Sequence, residues 1–492
     1  MPHNVCIFED KKFSNFFPLS LSQPVFELRI GLGFLRHRLQ EEFAGVEFET
    51  ICRDYLEQIM RLRAPDLRVN VEPSEETLFI NGRLLCFEGE MKDCLDKLPV
   101  GHIATKGGYV VAARLEKEPA VEFAAYIRSR ISEESIAKLC EELRACTEGG
   151  DTEKAPVKPD KTSKSAKKPT KHQSKLLTPE ADEGTYEDVH AVGQDAVAEK
   201  LPIALTALIG KHGITRVDMS EARLLSFIWQ LIERNPAVIE DDFKKLPFRG
   251  QSEESVVFPG VQMINDENIL IGEGAVIKSG TVLDASEGPI AIDDGAVVMS
   301  NAVIIGPASI GANSIVKAGA KILEGTSIGE VCKIGGEVDS TIFGNYTNKQ
   351  HDGFIGHSYL GEWINIGAAS NNSDLKNNYS YVRMWCAGSI KDTGRQFLGT
   401  IIGDHTKTGI NTLFNTGTVI GFNCNVYSSE MPPSFVPSFS WGHGVEMTEY
   451  ELTKAMQTAE TVLERRKVKF NAPHQELFKK IHELSGKCSR NI

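Results

Sequence analysis

From Ile292 the sequence reads IDDGAV VMSNAV IIGPAS IGANSI VKAGAK ILEGTS IGEVCK and reaches Ile334, a ladder with a step of six. Its first letters are Ile292, Val298, Ile304, Ile310, Val316, Ile322, Ile328 and Ile334, all β-branched aliphatics. The fifth letters are small: Ala296, Ala302, Ala308, Ser314, Ala320, Thr326 and Cys332. Neither a helix nor an ordinary strand has that period. A hexad repeat fits a parallel β-helix, in which each block makes one flat side and its turn and three blocks close a coil. The aliphatic points into the prism and the small residue fits the bend.

The ladder begins earlier, at Ile271, Ile277 and Leu283, and breaks phase at Glu287–Pro289. It resumes at Phe354, Leu360 and Ile366, and again from Ile402 through Thr408, Phe414, Ile420 and Val426. The β-helix is expected over 256–442. Upstream, VCIFED (Val5–Asp10) reads as a first strand, Leu32–Phe43 as a helix and TLFINGRLLC (Thr77–Cys86) as a buried strand with a turn. An α/β domain is expected over 1–146, with a helix from Ile131 to Cys146 capped by Ser132. Residues 147–185 carry eight lysines among Pro, Ser and Thr with few large apolar residues, the composition of a disordered tether. Residues 186–255 read as a helical connector completing the first domain, interrupted at Asn235-Pro236. The tail, 443–492, reads as two amphipathic helices covering the end of the β-helix, the first with a Thr448/Glu451 capping box.

The chain has 492 residues, enough for two or three domains, and a net charge of −13, which argues against a nucleic-acid binder. No apolar run is long enough to span a membrane and MPHNVCIFEDKK has no signal-peptide pattern. Ten scattered cysteines with no CxxC fit reduced thiols in a cytoplasm.

One stretch is too polar for a bare scaffold. NKQHDGFIGHSYLGEWINIGAASNNSDLKNNYSY (Asn348–Tyr381) crowds Lys, His, Asp and Asn into about thirty residues. Asparagine is common where a β-helix turns left-handed, which accounts for Asn371, Asn372, Asn377 and Asn378 but not for the lysines and histidines. A neutral imidazole suits a general base. His351, His357 and His405 together suggest zinc, but the first two are six apart and fall on different sides of a prism, so no metal site is expected among them.

These blocks, with GGEV, GDHTKTGINTLFNTGTVIG and PSFSWG, resemble a known family: the acetyltransferase half of the bifunctional N-acetylglucosamine-1-phosphate uridylyltransferase/glucosamine-1-phosphate acetyltransferases. The match is closest to a GlmU-like variant branch described as sugar nucleotidyltransferases and covers about 260–442. FFPLSLSQPVFELRIG (Phe16–Gly31) and INGRLL (Ile80–Leu85) resemble its N-terminal half more loosely. The resemblance implies a nucleotidyltransferase-like α/β domain, then a left-handed hexapeptide-repeat β-helix with C-terminal helices.

It implies His357 as the base that deprotonates an amine, with Lys349, Tyr359, Asn365, Asn371, Asn372 and Lys376 around a sugar phosphate. Lys317 lies near the place of a phosphate-binding basic residue. The amides of Gly367–Ala369 are candidate oxyanion donors. The family's Gly-rich phosphate loop is missing after β-strand one, which leaves Arg29, Asn81 and Arg83 as nucleotide-site candidates. Acetyl-CoA, a nucleoside triphosphate, Mg²⁺ for nucleotidyl transfer and a homotrimer in the cytoplasm are the implied co-substrates, cofactor, assembly and location. The expected activity is acetylation of glucosamine 1-phosphate followed by nucleotidyl transfer from UTP or dTTP. The alternatives are an acetyltransferase with a degenerate first domain, a nucleotidyltransferase with a trimerising β-helix, and a non-enzymatic scaffold.

Overall fold

The computed structural model describes residues 4–43, 45–87, 92–137, 201–427, 430–444 and 446–489. The expected tether lies outside the described residues, as does most of the helix after Ser132. The start of that helix is described, and there Ser135 N–H donates to Ser132 Oγ at 3.3 Å, the cap its sequence predicts.

Among the described residues the N-terminal domain holds a seven-stranded sheet. Its strands are β1 (Asn4–Phe8), β2 (Glu47–Ile51), β3 (Arg68–Val69), β4 (Thr77–Asn81), β5 (His102–Lys106), β6 (Tyr109–Leu115) and β7 (Thr215–Asp218). Their order is β3-β2-β1-β4-β6-β5-β7. β1 pairs in parallel with β2 and β4, while β6 runs antiparallel to β4 and β5. β1 is buried on both faces, as parallel strands are: Val5 and Ile7 join one core, Cys6 and Phe8 the other. Helices α1 (Leu35–Glu42) and α2 (Glu57–Arg63) cover the first face, and α3 (Lys117–Arg130) and α4 (Ile203–His212) the second.

From Gly250 the chain winds through three stacked parallel ladders, the walls of a prism. One inward column runs Ile271, Ile292, Ile310, Ile328, Phe343, Leu360, Ile402, Ile420 and Val436. The expected ladder holds, with one correction. The corners at Gly335-Gly336 and Ser340-Thr341 are both short, so the next inward sites fall at Val338, Phe343, Lys349 and Ile355. Ile355 is buried and Phe354 only half-buried. One edge of the prism turns through left-handed backbone at Gly295, Asn313, Val331, Tyr346, Trp363, His405 and Asn423. Another turns at Ser340 and His357, whose φ is 45°.

The N-terminal domain packs directly on one wall. Helix α5 (Trp229–Lys245) is continuous through Pro236, contrary to the expected interruption. Asn235, on the buried face of this helix, accepts from Gly31 N–H at 2.7 Å while donating to Gly325 O at 2.8 Å. A well-bonded seam of this kind offsets the helix bond that proline forfeits. Gly31 sits at φ 63°, and a Cβ there would lie 2.1 Å from Asp242 Oδ2. The C-terminal helices α6 (Leu452–Glu464) and α7 (Ala472–Ser489) join the same seam. Leu477, Phe478 and Ile481 share a core with Phe422 of the β-helix and Ile59 and Met60 of α2, so the helices bridge the domains rather than only capping the prism. The expected capping box is absent: Thr448 lies in a strand, where its Oγ1 donates to Trp441 O at 2.9 Å.

Candidate active site at the His357 corner

His357 leaves the prism at a corner between two walls. Its Nδ1 lies 2.9 Å from Asp374 Oδ2. Phe397 stands beside the imidazole, ring centroids 5.3 Å apart. Asp339 completes the surroundings; burial raises its pKa, which the hydrogen bond to Ser340 and the nearby imidazole oppose. The corner is held from below by two asparagines acting in place of backbone. Asn372 occupies an inward position paired with Phe414, accepts from Gly356 N–H at 2.8 Å and donates to Gly356 O at 2.9 Å. Asn371 accepts from Phe354 N–H at 2.8 Å. A Cβ at Gly356 would crowd Asp374 Oδ2, at 2.5 Å, and the Phe354 ring, so one of those side chains would have to move.

The other sequence candidates scatter. Lys376 is two residues from Asp374, and its Nζ donates to Tyr381 O at 2.8 Å. Asn365 is exposed on a different wall, bridged to Asn348 and Lys407. Lys349 points into the prism at a hexad position, where its Nζ donates to His351 O at 2.6 Å and burial pulls its pKa down to about 8. Tyr359 is buried at the domain seam: its hydroxyl accepts from Arg29 N–H at 2.7 Å and donates to Arg29 O at 3.1 Å. The structure thus gathers His357, Asn371 and Asn372, ties Lys376 to Tyr381 O, and sets Lys349, Asn365 and Tyr359 apart. Asp374 was missed as a partner for the base, although it stands in the quoted NNSDLKNN block; only the closed corner joins residues seventeen apart. Two of the three expected oxyanion donors are engaged, Gly367 N–H by Thr408 Oγ1 at 3.0 Å and Ala369 N–H by Asp352 O at 3.0 Å. His405 is buried and stacked near Trp363, away from His357 in the first-named corner column.

At the N-terminal domain, Arg29 is a seam residue, its Nη2 on Asn345 Oδ1 at 3.0 Å. Asn81 and Arg83 meet at the carboxyl end of β4, both buried on Asp10: Asn81 Nδ2 at 2.9 Å, Arg83 Nε at 2.9 Å and Nη2 at 2.5 Å. Burial raises the Asp10 carboxyl, but the Arg83 charge and the bonds from Arg83, Asn81 and Lys12 N–H together hold it below the usual range. The preceding Glu9 is likewise bound by Arg53, at 3.1 Å. Each carboxylate at this strand end is neutralised by a buried guanidinium. That donor set does not fit Mg²⁺, which takes carboxylate oxygens not already paired with cations.

Residues 5–248 match the family model described as "Sugar nucleotidyl transferase". The N-terminal half belongs to that family. Bifunctional protein GlmU of Synechococcus elongatus is 28% identical over 172 residues, which cover 35% of this chain and 33% of that protein. A bifunctional sugar-1-phosphate nucleotidylyltransferase/acetyltransferase of Sulfurisphaera tokodaii is 31% identical over 104 residues, 21% of this chain and 26% of that one. The chain therefore spans about a third or less of these relatives' length. A solved UDP-N-acetylglucosamine acyltransferase from Campylobacter jejuni is 14% identical with a TM-score of 0.20, covering 48% of this chain and 82% of its own. The β-helix itself is read from the strand ladders above. No helix among the described residues is long and apolar enough to cross a membrane.

Proposed function

We propose that the chain is a two-site sugar-phosphate transferase. The β-helix acetylates the amine of glucosamine 1-phosphate from acetyl-CoA, and the N-terminal domain transfers a nucleotidyl group from UTP or dTTP to the resulting sugar 1-phosphate. The observation that carries it is the His357–Asp374 pair, 2.9 Å apart on an otherwise structural β-helix. With Nδ1–H donated to Asp374, Nε2 is left to accept a proton from the neutral amine as its nitrogen attacks the thioester carbonyl. The carboxylate fixes ring and tautomer and stabilises the imidazolium that forms. Collapse of the tetrahedral adduct then expels the thiol of CoA, with His357 returning the proton. Asn371, which supports this corner, and Lys376, two residues after Asp374, are the residues we assign to the sugar phosphate. We also propose a homotrimer in the cytoplasm, as the resemblance implies.

A second reading is favoured by one observation: the Asp10–Arg83 and Glu9–Arg53 pairs leave no free carboxylate among the described residues at the end of β1. On that reading only acetyl transfer survives. Incubation with acetyl-CoA, glucosamine 1-phosphate and UTP, with free thiol and pyrophosphate followed separately, decides between them. Both products support the two-site reading, thiol alone supports the second, and no thiol overturns both.

A further inference from the structure

One excursion interrupts the β-helix, and both of its ends touch the base. Asn372 and Ile402 are inward sites on neighbouring walls thirty residues apart, where the matching sites one coil below, Ile355 and Leu360, are five apart. The extra chain leaves the wall as an arm whose feet bridge each other at Leu375 and Phe397. Asp374, at one foot, holds His357 Nδ1 at 2.9 Å, and Phe397, at the other, stands against the imidazole. Leu398 N–H donates to Asp374 O and Gly399 N–H to His357 O, each at 2.8 Å, so feet and base form one hydrogen-bonded unit. The crown of the arm is a hairpin, Arg383–Cys386 paired with Ser389–Asp392, and it lies on the N-terminal domain. Val382, Met384 and Cys386 alternate with Arg383 and Trp385, the period-two pattern of a strand with one buried face. That face shares a core with Phe13, Phe16 and Leu231 of the domain, and Cys386 Sγ lies 3.6 Å from Asn15 O. On the other side Trp385 stacks on Phe435 of the last coil, ring centroids 3.9 Å apart. Arg395, on the returning limb two residues before Phe397, reaches Glu233 of α5 at 2.6 Å.

We propose that the N-terminal domain holds the acetylating base in place through this arm, with Arg395 as a positioning residue that acts through Phe397 and Asp374 and touches no substrate. The inference rests on the acetyl-transfer half of the proposed function. A general base works only within hydrogen-bond reach of its proton. A misplacement of about 1 Å costs on the order of 10²-fold in rate. The Asp374 carboxylate and the Phe397 ring stand where the feet of the arm put them. A long loop has many conformations open to it, and burying its crown against the first domain selects one of them. Met384, 1% exposed, commits the arm to that surface. The Arg395–Glu233 pair is partly exposed, 38% and 28%, so it contributes little energy by itself. Its location is what counts: it ties the limb beside Phe397 to α5, which Asn235 fixes at the seam. On the reading in which only acetyl transfer survives, the first domain thereby has a function that needs no catalysis of its own, as the outer support of the acetylating site.

The test is charge reversal in the full chain. Arg395→Glu sets like charges against each other, and adding Glu233→Arg restores the attraction in the opposite sense. Thiol release from acetyl-CoA with glucosamine 1-phosphate should show kcat lower by about tenfold in Arg395→Glu and KM within about twofold, the pattern of a displaced catalytic group rather than lost binding. The double variant should return to within about threefold of the parent. Carbethoxylation of His357 by diethyl pyrocarbonate, read by peptide mass spectrometry, reports the surroundings of the imidazole without turnover. Its rate should change by about threefold or more in Arg395→Glu, the scale of one partly exposed ion pair, and revert in the double variant. Circular dichroism checks that the fold is kept; should Arg395→Glu unfold, Arg395→Gln removes the charge alone and is read the same way. A parent-like kcat in the single variant overturns the proposal and leaves acetyl transfer standing, as does a double variant no better than the single. No thiol from the parent sinks the proposed function. His357 reactivity then decides the positioning: unchanged in Arg395→Glu it sinks this inference too, and changed it upholds it.

Discussion

His357 and Asp374, seventeen residues apart, meet across the mouth of one β-helix corner with Nδ1 and Oδ2 2.9 Å apart. A carboxylate on one imidazole nitrogen commits the other to proton transfer. His357→Ala should lower acetyl transfer by about 10²- to 10⁴-fold, the span of a general base. Asp374→Asn keeps the shape and removes the charge, and should cost roughly 10- to 100-fold, as loss of such an orienting partner does. Thiol release at several pH values measures both. A structural Asp374 would lower stability and leave kcat and its pH profile unmoved.

Gly356→Ala would drive a methyl to 2.5 Å from Asp374 Oδ2. The expected outcome is a loss of acetyl transfer comparable to Asp374→Asn with the β-helix still folded, seen as unchanged far-ultraviolet circular dichroism. Wild-type turnover in this variant would show that the pair does not position the base.

Tyr359→Phe removes a hydroxyl that serves both the N–H and the carbonyl of Arg29. Two buried backbone groups would lose their partner, at about 1–3 kcal/mol each when left unsatisfied. Urea unfolding should show that loss while KM for the sugar phosphate stays unchanged. A raised KM with unaltered stability would instead put Tyr359 in the sugar site.

Lys349 carries an amine into the prism, and burial lowers its pKa to about 8. Between about 8 and its unfolded value near 10.4 the unfolded chain binds the extra proton, so stability rises with pH in that window. Lys349→Met should reduce this rise without lowering stability at pH 7. Lys407, also lowered to about 8 by burial, leaves a residual slope. Unfolding midpoints at pH 7 and pH 10 are the measurement, and an unchanged slope in the variant would contradict the assignment.

At the domain seam Ser22 donates to Asp404 at 2.6 Å, and Arg63 reaches Glu362 at 3.2 Å. Burial, then the Glu362 charge, pushes the Asp404 carboxyl up to about 7. The folded protein thus holds a proton that the unfolded chain has released, and stability falls as pH rises from about 4 to about 7, by at most about 1.4 kcal/mol per pH unit. Asp404→Asn should flatten that slope in thermal unfolding between pH 5 and pH 7. A slope identical to wild type would place the titrating group elsewhere.

The hexad ladder made the β-helix legible, because inward aliphatics and small corner residues leave a periodic trace that needs no long-range information. The same holds for β1, whose two-sided burial shows as an unbroken apolar run, while the polar block around His357 marks a candidate site without assigning its roles. What only the tertiary structure decided is where each polar side chain points. The short corners at Gly335-Gly336 and Ser340-Thr341 shift the phase and turn Lys349 inward. Packing of the first domain on one wall takes Tyr359 and Arg29 out of solvent and into a seam. Closure of the corner brings Asp374 to His357, and the parallel pairing of β1 with β4 brings Arg83 to Asp10. Period and composition are local properties of the chain, whereas the direction of a side chain depends on corner length and on which wall a distant segment covers.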